Sequence, residues 1–226
     1  MISILDSYQT LVFDCDGVVL DSNKVKTQAF YQAALPYGEP AAQALVQYHV
    51  AHGGVSRYKK FAHFLDVLVP EHSNMSNGPD LNALLAAYAT AVQEGLLQCQ
   101  IAPGLAELRA ATPNARWLIV SGGDQAELRR VFSSRGIADF FDGGIFGSPD
   151  SKDVILAREL ERNNISQPGL FLGDSKYDFE VARSASLDFI FLSGWSDFVD
   201  HDKWLLANGI KKISHLINIF EFESYD

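Results

Sequence analysis

Leu11-Val12-Phe13-Asp14-Cys15-Asp16-Gly17 decides the fold. The apolar run is too short for a helix and does not alternate with polar residues, so it reads as a strand buried on both faces. Three later stretches repeat the texture. Trp117-Leu118-Ile119-Val120 ends in Ser121-Gly122-Gly123, Leu170-Phe171-Leu172 in Gly173-Asp174, and Phe189-Ile190-Phe191-Leu192 in Ser193-Gly194. Helical spacing fills 125–135, 152–163 and 177–185 between them. Strands alternating with helices predict an α/β fold with a Rossmann-like parallel sheet. Lesser strands are expected at 144–146 and 212–213.

The region from 23 to 98 breaks this alternation. Leu81, Leu84, Leu85, Tyr88 and Val92 form one helix face, with Asp80 as its N-cap. Phe61, Phe64, Leu65 and Leu68 make a second stripe, and Ala29, Phe30, Ala33 and Ala34 a third. The expected organisation is a core of 1–19 and 100–226 carrying an inserted α-helical domain at 20–99. Pro103-Gly104 marks the return to the core. The tail residues Phe198, Trp204, Leu205, Leu206, Ile217, Ile219 and Phe220 read as core packing.

Composition narrows the function. The chain has 226 residues, 47% apolar and 20% charged, which suits a globular protein with its own core. Its net charge of −10 argues against a nucleic-acid or anionic-membrane binder. The two cysteines, Cys15 and Cys99, cannot build a disulfide framework. Residues 1–10 lack a basic segment followed by a long apolar one, so no secretory leader is expected and a reducing cytoplasm is the expected location.

Chemistry is sought where parallel strands end. Asp14 and Asp16, two apart on an unwinding strand, can lean into one crevice and invite a divalent cation; oxygen-only ligation suits Mg²⁺. The same residues also read as a plain strand-ending turn. Ser121 and Gly122 can cradle a phosphate, or Ser121 can cap a helix. Asp174 and Asp178 can face the crevice, or serve as a cap and a first-turn acid. Lys152 opens a helix, a poor place for a cation unless an anion waits there.

Taken together and in this order, these elements resemble the haloacid dehalogenase-like hydrolase superfamily with a type 1 helical cap. The motif Asp14-Cys15-Asp16-Gly17-Val18-Val19-Leu20-Asp21-Ser22 carries most of the likeness. The resemblance implies that Asp14 is the nucleophile and Asp16 the acid–base. It implies Mg²⁺ held by Asp14, Asp16 (through its backbone carbonyl), Asp174 and Asp178, and a phosphoryl group held by Ser121, Gly122 and Lys152. The sequence departs from the family pattern at Asp153, where proline is usual, and at Ser186, where glycine is common. Lys176 is a rival to Lys152.

Substrate choice is expected from the cap. The candidate contact segment is 52–60; within it Gly54-Val55-Ser56-Arg57 resembles the substrate loop of sugar phosphomutases and sugar-phosphate phosphatases, which makes Ser56 and Arg57 the expected cap contacts. His49 and His52 are weak metal candidates. The expected function is a Mg²⁺-dependent phosphatase acting on a small phosphorylated metabolite, such as a sugar phosphate, through an aspartyl-phosphate. The alternatives are a phosphomutase of the β-phosphoglucomutase type and a phosphonate hydrolase using Lys59 or Lys60. A monomer or small homo-oligomer is expected.

Overall fold

The computed structural model describes residues 4–75 and 77–222. The reading of residues 1–10 and the outer limits of the expected core therefore fall partly outside the described residues. After β1 (Thr10–Phe13) come α1 (Asn23–Ala34), α2 (Glu39–Ala51), α3 (Arg57–His63), α4 (Val69–His72) and α5 (Leu81–Gln98). A π-helical stretch, Phe64–Leu68, joins α3 to α4. The chain then alternates: α6 (Leu105–Ala111), β2 (Arg116–Asp124), α7 (Gln125–Ser134), β3 (Gly144–Ser148), α8 (Lys152–Glu161), β4 (Gly169–Gly173), α9 (Lys176–Ser184), β5 (Asp188–Leu192), α10 (His201–Asn208) and β6 (Lys211–Ile213).

Among the described residues the six strands form one parallel sheet in the order β3-β2-β1-β4-β5-β6. This is the expected α/β, Rossmann-like architecture with helices inserted after the first strand. β1 lies between β2 and β4, where the strand order reverses, and the carboxyl end of a strand at such a point opens a crevice. Every side chain of β1 is buried because both faces are covered. Val12 points to Leu118, Phe171, Ile155 and Val181, and Leu11 and Phe13 join the opposite cluster with Trp117, Ile119 and Phe132. Each such side chain contributes roughly 1.5–3 kcal/mol by leaving water.

The inserted helices pack on one another through aromatic rings. Phe30 of α1 lies 4.5 Å from Tyr88 of α5 and 5.1 Å from Phe61 of α3, centroid to centroid. Two chain crossings join them to the sheet, and these crossings are tied together. The Asp21 N–H donates to the Gln100 carbonyl and that of Ala102 to the Val19 carbonyl, both at 2.9 Å. The tail is mixed: Leu205 and Ile219 are buried as expected, but Leu206 is 86% exposed. The residue after a buried helical position turns about 100° away from the core. Among the described residues no helix is long and apolar enough to cross a membrane.

Candidate active site

Asp14 leaves β1 with its backbone still in the sheet, its N–H donating to the Leu172 carbonyl at 2.9 Å. Asp174 follows β4, the next strand, and Asp178 sits in the first turn of α9. Adjacent parallel strands therefore bring three acids from distant sequence positions to one edge. Their carboxylate oxygens lie within 4.8 Å of one another, and all three residues are buried.

Lys152 enters from α8. Its Nζ is 2.8 Å from Asp14 Oδ2 and donates to Asp178 Oδ1. Burial pushes the Asp14 carboxyl up to about 7, with Lys152 pulling the other way. Burial and the Asp14 and Asp178 charges hold Asp174 well above the usual carboxylate range. Three buried acids against one ammonium leave a negative excess in low dielectric, which a divalent cation relieves. An all-oxygen donor set fits Mg²⁺. The rival Lys176 is exposed and stands over the Phe198 ring, 4.6 Å from its centroid.

Asp16 is turned elsewhere. Its Oδ1 accepts from Ser22 Oγ at 2.5 Å and its Oδ2 from the Lys26 ammonium. Burial alone would raise its carboxyl, but Lys26 and Ser22 outweigh that and lower it. The Asp16 side chain thus lies outside the three-acid group. Gly17, at φ +75°, lets the chain turn: a Cβ there would stand 2.1 Å from Asp174 Oδ2. Asn23 Nδ2 donates to Asp174 Oδ2 at 3.0 Å and to the Trp195 carbonyl at 2.8 Å.

Ser121 is fully buried, and its Oγ accepts from the Gly123 N–H at 3.1 Å. β2 runs beyond the expected apolar stretch to Asp124, which caps α7 by accepting from the Glu127 N–H at 2.9 Å. Gly122 lies directly under the cap loop, since a Cβ on it would meet the Gly54 carbonyl oxygen at 2.2 Å.

A cavity of about 610 Å³ separates the cap from this edge. Asp14, Asp16, Asp174 and Gly122 line it from below, and Lys26, Arg57 and Lys60 from the cap. Its size suits a small organic ligand. Arg57 reaches the cavity wall, but its guanidinium is held by Glu127, with Nη1 to Oε2 and Nη2 to Oε1 both at 3.1 Å. Tyr58 adds a hydrogen bond to Asp124 at 2.8 Å. Ser56 caps α3, its Oγ accepting from the Lys59 N–H at 3.4 Å, and lies beside a smaller adjoining cavity. His49 Nδ1 faces Lys60 and His52 Nδ1 faces the Tyr48 carbonyl, so these two do not converge on a metal site.

Sequence reasoning missed Asn23, Lys26 and Glu127, and it named Lys60 only as one of two cap lysines for a phosphonate hydrolase. Asn23 and Lys26 had a faint signal, because they follow the first motif directly. Glu127 had none, and Lys60 could not be told from Lys59, since nothing in a helical pattern says which polar residue will face a neighbouring domain.

Comparison with known proteins agrees with this architecture. No curated protein matches the chain. Among solved structures, a Lactobacillus plantarum protein with a provisional phosphoglycolate phosphatase assignment shares 22% identity at a TM-score of 0.70, over 95% of this chain and 99% of its own. A haloacid dehalogenase-like protein of Streptococcus pneumoniae shares 21% at 0.69, over 96% and 98%. β-Phosphoglucomutase of Clostridium difficile shares 16% at 0.70, over 95% of each chain. At these identities the likeness establishes the fold. The family model for haloacid dehalogenase-like hydrolases matches residues 8–186, and its span includes Asp14, Asp16, Ser121, Lys152, Asp174 and Asp178. The chain belongs to the haloacid dehalogenase-like hydrolases.

Proposed function

We propose that the protein is a Mg²⁺-dependent phosphatase that hydrolyses a small phosphomonoester, such as a sugar phosphate, through an aspartyl-phosphate. The observation that carries this reading is the buried group of Asp14, Asp174 and Asp178, with Lys152 bridging Asp14 and Asp178 and with Asp14 and Asp174 lining the cavity. Asp14, Asp174 and Asp178 would hold Mg²⁺, with the Asp16 backbone carbonyl completing the set. When bound, the ion neutralises charge on the phosphoryl oxygens and so makes the phosphorus accessible to an anionic nucleophile.

Asp14 forms a bond from its carboxylate oxygen to phosphorus while the bond from phosphorus to the ester oxygen breaks. Asp16, oriented by Ser22 and Lys26, passes a proton to that oxygen; because these partners lower its carboxyl, it must first take that proton up from solvent. It then takes a proton from the water that attacks phosphorus, and the Asp14–phosphorus bond breaks to release phosphate. Lys152 and the Ser121-Gly122 turn steady the transferring oxygens. The cap loop over Gly122 excludes bulk water during the first step.

The test is phosphate release from a panel of small phosphomonoesters. Release should stop with EDTA and return with Mg²⁺. Metal-independent release, or none from any ester in the panel, contradicts the reading.

A further inference from the structure

Among the described residues four buried cations surround the two cavities: Lys26, Arg57, Lys60 and Lys152. Three have carboxylate partners, Lys26 with Asp16, Arg57 with Glu127, and Lys152 with Asp14 and Asp178. Lys60 has none within 4.0 Å among the described residues, although it is only 2% exposed and lines the main cavity. Its Nζ meets His49 Nδ1 at 2.6 Å and the His49 carbonyl at 3.3 Å, and stands over the Phe30 ring.

An ammonium removed from water without an anion costs several kcal/mol. Burial and the Lys26 charge accordingly push Lys60 down to about 7. His49 is held well below the usual imidazole range by burial, Lys60 and Lys26, so its ring is neutral and accepts from Lys60 rather than balancing it. An ammonium has three N–H groups. His49 takes two and one remains. One uncompensated charge and one free donor match a monoanion. A phosphoryl dianion asks for more donors, and a hydroxyl would leave the charge unbalanced.

We propose that Lys60, held in place by His49, receives a carboxylate carried by the substrate at the end opposite its phosphate. The substrate class is then a phosphorylated hydroxy acid or sugar acid. This deepens the phosphatase reading and rests on it.

Two phosphonates test the site without any turnover, because neither has an ester bond to cut. Calorimetry with Mg²⁺ present compares 3-phosphonopropionate, which ends in a carboxylate, with 3-hydroxypropylphosphonate, which ends in a neutral hydroxyl. The wild-type protein should bind the acid at least about tenfold more tightly. Lys60→Met and His49→Phe should each cut that advantage to below about threefold. No preference in the wild type, whether through equal binding or no binding, overturns the proposal without needing either variant to fold. So does an advantage that survives Lys60→Met. Phosphate release from p-nitrophenyl phosphate reports on the phosphatase reading separately. Loss of that activity with the calorimetric preference intact defeats the phosphatase reading alone.

Discussion

Arg57 of the cap and Glu127 of the core form a two-pronged ion pair, each prong at 3.1 Å, with both side chains buried. The pair lines the cavity and ties α3 of the cap to α7. Arg57, expected from sequence to read the substrate, therefore has its guanidinium engaged by the protein itself. Arg57→Ala should lower kcat/KM for large and small esters alike, and the ion pair should be worth about 1.5–3 kcal/mol. Arg57→Met combined with Glu127→Gln should cost less than the sum of the single changes, because neither charge is then left unpaired. A loss confined to the preferred substrate would restore the specificity role.

Closure also depends on Gly122. A methyl group there would sit 2.2 Å from the Gly54 carbonyl oxygen, which belongs to the cap backbone and cannot swing aside. Gly122→Ala should reduce kcat/KM by about tenfold or more while the melting temperature changes little, since the clash is relieved by opening the cap. Full activity in this variant would show that the loop does not have to seat on Gly122.

Lys26 and Ser22 hold the Asp16 carboxylate, and in the proposed mechanism they position it. Lys26→Met and Ser22→Ala should each lower kcat by about tenfold, a part of the range typical of acid–base catalysis, with KM little changed. The loss should be larger for an alkyl phosphate, whose leaving oxygen needs a proton, than for p-nitrophenyl phosphate. An equal loss on both esters would indicate only a general disturbance of the fold.

Stability should respond to pH through Lys60. Its ammonium titrates near 7 in the folded protein against an ordinary value of 10.5. Between those limits the unfolded chain binds the extra proton, so this residue makes stability rise with pH from about 7 towards 10.5. Below about 7 both states are protonated and the gain is absent. Lys26 and Lys152 press the value down, while Asp16 and Asp197 oppose them. Denaturant melts from pH 6 to 9 should show the rise in the wild type and a flatter profile in Lys60→Met. Parallel profiles would contradict it.

The strand ends were legible because a parallel sheet places its apolar runs and their terminal acids by local pattern alone. Asp14 and Asp174 could be read as neighbours before any coordinates, and α7, α8 and α9 fall within a residue or two of the expected helical spans. The cap was legible as helices but not as a surface. Lys26, His49 and Lys60 come from α1, α2 and α3, and only the packing of Phe30 against Phe61 and His49 turns them towards one cavity. Ser186 lies between these cases. It holds φ at +55°, a left-handed position where glycine costs less, which explains why glycine is common there and makes the departure a matter of backbone rather than chemistry.

In the proposed reaction Asp14 carries the phosphoryl group. The most direct measurement is Mg²⁺-dependent phosphate release by Asp14→Asn beside the wild type, with mass spectrometry of the acid-quenched wild-type reaction. The variant should lose at least about a thousandfold, and the wild-type peptide containing Asp14 should carry a phosphate adduct. Wild-type turnover by Asp14→Asn, or an adduct on any other residue, would contradict it.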